Sequence, residues 1–229
     1  MVPIGPPRPD PLCADRTWQS PDRTVSGGRS GRVAAIVSSV IKGGGGDMTP
    51  MLRAALAYRA YGLSVIPLRP KSKEPAIRWT RYQREMPTEE EIRSWFATDR
   101  NIGIVCGSAS GGLVVRDFDD AEAYAAWADA NPDLDRALPT VRTPRGYHVY
   151  FRVAGDCPRL WVTESGEVRG AGGYVVAPPS THPTGEKYKW IVPLCAQSLR
   201  VVDPVFFGVK PVTPEKKTDR RVLRITEEY

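Results

Sequence analysis

No apolar run in this 229-residue sequence approaches the ~20 residues that span a bilayer, and its first residues lack the apolar core of a signal sequence. A soluble, cytoplasmic protein without a membrane partner is expected. Cysteine is scarce as well. Cys13, Cys106, Cys157 and Cys195 include no pair at zinc-ligand spacing, which argues against a zinc site and against a disulfide framework, and leaves buried reduced thiols as the expectation. No Gly-Lys-Ser/Thr follows the glycine-rich segment Gly170 to Gly173, so a Walker phosphate loop is excluded. Charge of either sign is only in modest excess. A net charge of +6 and a pI near 9.2 are compatible with nucleic-acid or nucleotide partners without requiring them.

The residues that are present fall into three parts. Residues 1–47 are rich in Pro, Gly, Ser and Arg and carry one short apolar run, so they cannot bury enough surface to offset their ordering entropy; a disordered extension is expected. Its end, Gly43-Gly44-Gly45-Gly46-Asp47-Met48, is also what a purine-rich ribosome-binding site yields when translated. Met48 or Met51 is therefore the expected natural start. One packed domain is expected over residues 48–205, followed by a polar tail, 206–229, that includes Lys216-Lys217 and Arg220-Arg221.

Within the domain, Thr49-Pro50 opens a helix whose apolar stripe runs through Leu52, Ala55 and Leu56, and Gly62 is placed to end it. Pro87-Thr88-Glu89-Glu90-Glu91 reads as a second helix start with a capping box. Asn101 to Cys106 and Leu113 to Phe118 read as two strands of a hairpin, and Asp120 as the cap of a helix over Ala121 to Ala130. Leu138 to Arg152 reads as strand, Pro-Arg-Gly turn and strand, with His148, Tyr150 and Arg152 on one face.

The chemistry gathers at the end of the run Leu113-Val114-Val115-Arg116-Asp117-Phe118-Asp119-Asp120. In an extended strand Asp117 and Asp119 point the same way, about 6 to 7 Å apart. Such a pair is either a solvated strand end or an oxygen-only cation site, suited to Mg²⁺ or Mn²⁺ rather than Zn²⁺. Three cations fall within the loop Arg69-Pro70-Lys71-Ser72-Lys73, either solvated or turned toward phosphate. His148 follows a loop with Arg142 and Arg145, company that favours an anionic ligand. Glu167 and Arg169 share one face of a further presumed strand. His182 reads as a loop hydrogen-bonder.

The ordered set Asp117-Phe118-Asp119, then Gly146-Tyr147-His148, then Glu167-Val168-Arg169-Gly170 leading into Gly173-Tyr174-Val175-Val176-Ala177-Pro178-Pro179-Ser180 resembles the bifunctional DNA primase/polymerase N-terminal (prim-pol) domain of the archaeo-eukaryotic primases. The resemblance covers roughly Met51 to Val202. It implies an α/β (α+β) fold, a mixed, mostly antiparallel central sheet flanked by helices around an RRM-like catalytic core.

It further implies that Asp117, Asp119 and Glu167 are catalytic and hold Mg²⁺ or Mn²⁺, and that His148 contacts nucleotide phosphate. Arg145, Arg169 and Lys73 are the further candidates for the triphosphate, and Lys71 and Arg142 for DNA. The implied partners are (d)NTPs, a single-stranded DNA template with its primer, and a separate helicase, in replication of a mobile element, phage or plasmid. Two departures stand out: Gly146 occupies a position where the family often has serine, and Glu167 one where it commonly has aspartate. A catalytically silent single-stranded-DNA-binding replication module and a metal-dependent phosphodiesterase are the alternative readings.

Overall fold

The computed structural model describes residues 48–154, 159–163, 165–195 and 198–209. The expected N-terminal extension 1–47 and the tail from 210 onward lie outside the described residues. The elements in chain order are α1 (Pro50–Ala60), β1 (Val65–Leu68), α2 (Glu89–Trp95), β2 (Asn101–Val105), β3 (Leu113–Phe118), α3 (Ala121–Ala130), α4 (Pro132–Ala137), β4 (Thr140–Arg142), β5 (Tyr147–Arg152), β6 (Leu160–Thr163), β7 (Gly166–Arg169), β8 (Tyr174–Ala177) and β9 (Lys189–Val192). Among the described residues no helix is long and apolar enough to cross a membrane.

Local chemistry sets the helix ends where the sequence places them. The Thr49 side chain accepts from the Leu52 N–H with proline following, and α2 begins in a full capping box in which Thr88 and Glu91 satisfy each other's backbone N–H. Asp120 caps α3 by accepting from Ala123 N–H at 2.7 Å.

Every named ladder is antiparallel, where a mixed, mostly antiparallel sheet is expected, and the strands form two sheets rather than one: β1-β2-β8 and β6-β7-β3-β5-β4-β9. The expected hairpin of β2 with β3 is not formed. A 3-10 turn at Ser108–Ser110 lies between them, only the isolated bridge Gly107 to Leu113 joins them, and each strand pairs within its own sheet. The buried Ser110 hydroxyl holds this crossing, donating to the Val105 carbonyl and accepting from Ser64 N–H.

Strand alternation divides the core in two. Leu113, Val115, Val141 and Tyr150 on one face of the six-stranded sheet join the three-stranded sheet, Leu56 of α1 and Ile92 of α2 in one buried cluster. Val114, Phe118, Val149, Phe151 and Val168 on the other face pack with Trp127 of α3 and with Phe207. The packed chain therefore runs past residue 205, which corrects the expected start of the tail. Phe207 stacks on Phe151 with ring centroids 4.1 Å apart, and the Trp127 indole donates to the Phe206 carbonyl at 2.8 Å. Cys106 is buried, whereas Cys195 is disulfide-bonded, correcting the expectation of four reduced thiols. Sequence spacing reports ligand motifs, but not which distant segments meet.

Candidate active site

β3 is an inner strand, flanked by β5 and β7. The register sets Asp117 opposite His148 on one side and opposite Glu167 on the other. Directly opposed residues share a face with Cβ atoms about 4.5–5.5 Å apart. Residues distant in sequence thus form one row, Glu167–Asp117–His148.

Two glycines allow this row to close tightly. At Gly146, in the β4–β5 turn, a Cβ would collide with the Phe118 carbonyl; at Gly166, entering β7 with φ +114°, it would collide with the Asp117 carbonyl. The absence of serine at position 146 has this steric reason. The neighbouring hydroxyl is already engaged, since Thr143 Oγ1 accepts from Gly146 N–H at 3.0 Å.

Asp117 is largely buried and sits between His148 and Arg169. His148 Nε2 lies 3.4 Å from Oδ1 and Arg169 Nε lies 3.4 Å from Oδ2, while Arg169 Nη2 pairs with Glu167. Burial works to raise the Asp117 carboxyl, but His148, Arg169 and Lys73 outweigh it and hold the group below its ordinary value. His148 Nδ1 is buried and has no hydrogen-bond partner among the described residues, so the ring's polar contact is made through Nε2.

The row opens on a pocket lined by Asp117, Asp119, His148, Arg145, Arg169 and Lys73, six residues for which the sequence predicts a role. β3 ends at Phe118, so Asp119 stands exposed on the following bend rather than within the strand. Lys73 is brought in by its loop, whose backbone is anchored by the Tyr174 hydroxyl on the Lys73 carbonyl at 2.8 Å and by the Asn101 amide on the Ser72 carbonyl at 3.0 Å.

The remaining predicted residues fall elsewhere. Glu167 adjoins Asp117 in register but is held by Arg169 and does not line the pocket. Lys71 is exposed in the same loop as Lys73, outside the pocket. Arg142 is in register with Tyr147, one position from the Asp117 row, so alternation sends it to the opposite face of the sheet.

The pocket also holds Tyr188 and His182, which spacing in the sequence does not single out. His182 does make the expected loop hydrogen bonds, through Nδ1 to Thr184, and presents its ring to the pocket as well. Burial, with Lys73 and Arg145 nearby, lowers its pKa. Tyr188 packs between the two histidine rings at 6.0 Å from each, and burial beside Asp117 pushes its hydroxyl up to about 12.

Among the described residues no group of three or more His, Cys, Asp or Glu side chains is arranged to hold a metal ion. Asp117 and Asp119 supply an oxygen-only pair on one pocket wall, and this donor chemistry fits a hard divalent ion.

Fold and site together define a two-sheet α/β domain with carboxylates and cations converging on a single pocket of its larger sheet. The family model of the bifunctional DNA primase/polymerase N-terminal domain matches residues 55–202, well over half of the chain, and the chain belongs to that family. No curated protein matches the sequence significantly.

Proposed function

We propose that this protein is a divalent-metal-dependent, template-directed DNA primase/polymerase that uses (d)NTPs, with a role in replication of a mobile element, phage or plasmid. Membership of the family implies an enzyme of nucleotidyltransferase type. The observation that carries the finer reading is the placement of Asp117 between His148 and Glu167 on adjacent strands, facing a pocket rimmed by Lys73, Arg145 and Arg169.

Asp117 and Asp119 would hold Mg²⁺ or Mn²⁺, which when bound polarises the α-phosphate and favours ionisation of the attacking 3′-hydroxyl. Arg145 and Lys73 face the same pocket and suit the triphosphate, Arg145 with a planar fork and Lys73 as a point charge. His148, whose Nε2 lies beside Asp117 at the pocket, would contact a phosphate oxygen of the nucleotide. Arg169, shared between Asp117 and Glu167, holds the two acids together before substrate arrives and offers its charge to the incoming phosphates. Lys71 and Arg142 are exposed cations suited to backbone phosphates of template or primer, a salt-dependent and largely sequence-tolerant contact.

The test is incorporation of labelled nucleotides on single-stranded DNA, with and without a primer, in Mg²⁺ and in Mn²⁺, beside Asp117→Ala/Asp119→Ala. Unprimed products that vanish in the variant establish a primase; products with primer alone establish a polymerase. DNA binding without incorporation replaces the reading with that of a silent binding module, and chain shortening without nucleotides with that of a phosphodiesterase.

A further inference from the structure

Arg116 is 2% exposed and lies on the face of β3 opposite Asp117, inside an apolar cluster with its guanidinium 4.1 Å from the centre of the Phe118 ring. Burying a cation is strongly unfavourable unless its hydrogen bonds are replaced. The bonds that replace them here go to the backbone of the site. Nη1 donates to the Asp117 carbonyl and, at 3.3 Å, to the Glu167 carbonyl; Nη2 donates to the carbonyl and hydroxyl of Ser165, both at 3.1 Å. One planar fork thus ties the end of β3 to the start of β7 where each strand carries its acid. Gly166 permits the approach, since a Cβ there would stand 3.0 Å from Nη1.

The charge is in keeping with this place. Burial lowers the Arg116 pKa to about 10, with Asp117, Asp119, Asp120 and Glu167 working in the other direction, so the group is a cation at neutral pH behind four carboxylates. Its Nε is buried without a hydrogen-bond partner among the described residues, so the two terminal nitrogens carry all of its contacts to the backbone. Among the described residues its hydrogen bonds serve only the two acid-bearing strand ends and the turn between β6 and β7.

We propose that Arg116 is a positioning residue, a clamp on the hidden side of the sheet that fixes the end of β3, and with it Asp117, against β7 and thereby sets the affinity of the Asp117–Asp119 pair for a divalent ion. The inference rests on the function proposed above. It differs from a merely structural role in what it predicts for the folded protein. Arg116→Lys keeps the charge and most of the stem but loses the planar fork, so it cannot reach the Asp117, Glu167 and Ser165 acceptors together.

The experiment uses the full chain and measures Mn²⁺ binding by electron paramagnetic resonance, backbone amide exchange, and kcat and KM on a primed template. For Arg116→Lys, Mn²⁺ affinity should fall by about tenfold, the lower end of what residues orienting metal ligands contribute. kcat should fall with it while KM for nucleotide stays unchanged, and amides of the β3–β7 ladder should exchange faster while those of β3–β5 do not. Ser165→Ala, which removes one acceptor and leaves the buried charge in place, should shift affinity in the same direction by less, and it serves where the lysine variant does not fold. Wild-type Mn²⁺ affinity in either folded variant overturns the proposal. A wild-type protein that neither binds Mn²⁺ nor incorporates nucleotide overturns the functional reading and the positioning role with it, while altered exchange confined to β3–β7 would still identify a structural clamp.

Discussion

Arg169 sets its Nε 3.4 Å from Asp117 Oδ2 while its Nη2 pairs with Glu167, so one guanidinium bridges two acids on neighbouring strands. Removing it leaves two carboxylates facing each other. Arg169→Ala should lose about 1 kcal/mol of stability, a modest figure because the arginine is partly solvated, and raise KM for nucleotide at least about tenfold. Mg²⁺ should restore melting temperature more in the variant than in the wild type, since an ion that binds only the folded state stabilises it by mass action. Melting curves with and without Mg²⁺ check this; an equal Mg²⁺ response in both proteins would refute it.

The two histidines of the sequence, His148 and His182, both line the pocket. A proton NMR titration therefore reads the pocket without assignment from variants elsewhere. His182 is held below its ordinary pKa by burial and by Lys73 and Arg145. A bound triphosphate offsets those cations, so its midpoint should rise on addition of a nucleoside triphosphate without metal, and should already be raised in Lys73→Ala. By linkage, the nucleotide should bind more tightly as pH falls through that midpoint.

Asp117 gives the opposite pH signature. Its pKa is depressed on folding, since His148, Arg169 and Lys73 outweigh burial. The stability it contributes is therefore fully present above the ordinary carboxylate value of about 4 and is lost as pH falls toward the lower folded value. The urea-measured stability difference between wild type and Asp117→Asn should shrink on acidification from pH 5 to pH 3, about one unit either side of that ordinary value.

Gly146 offers a test of the steric argument. Gly146→Ser restores the hydroxyl common at that place in the family, yet its Cβ has no room beside the Phe118 carbonyl. The substitution should lower stability by roughly 1–3 kcal/mol and reduce activity rather than improve it. A variant as stable as the wild type would show that the turn can move away from β3.

Phe207 carries a prediction that leaves the pocket alone. It stacks on Phe151 and Trp127 on the far face of the sheet. Phe207→Ala should cost about 3–5 kcal/mol in urea unfolding with nucleotide KM unchanged in the folded protein.

Much of this was legible because strand parity is a local property. His148 and Tyr150 share a face by alternation, and the capping signals at Thr49, Thr88 and Asp120 depend on residues a turn away. Partner choice is not local. That β3 accepts both β5 and β7, while β2 leaves it for β1 and β8, follows from a short 3-10 turn and from packing between distant segments. The same limit hid Tyr188 and His182, which reach the pocket from a loop far along the chain, and hid that Arg142 stands on the face opposite Asp117. Arg116 was concealed by company: a charge beside Asp117 at the end of an apolar run reads as a solvated strand end, and only its backbone acceptors reveal a different use. Phe207 was lost in a polar stretch for a similar reason.

The two glycines that crowd the end of β3 also bear on how the site is assembled. Gly146 reaches it from the β5 side and Gly166 from the β7 side, each where no Cβ can pass. A hairpin that docked one residue out of step would bring Arg145 or Tyr147, Ser165 or Glu167, to those spots, and would also turn its acid or histidine to the opposite face. The close approach at both glycines therefore belongs to the one register that lines up Glu167, Asp117 and His148, and the acids are aligned by the backbone itself before any substrate is met.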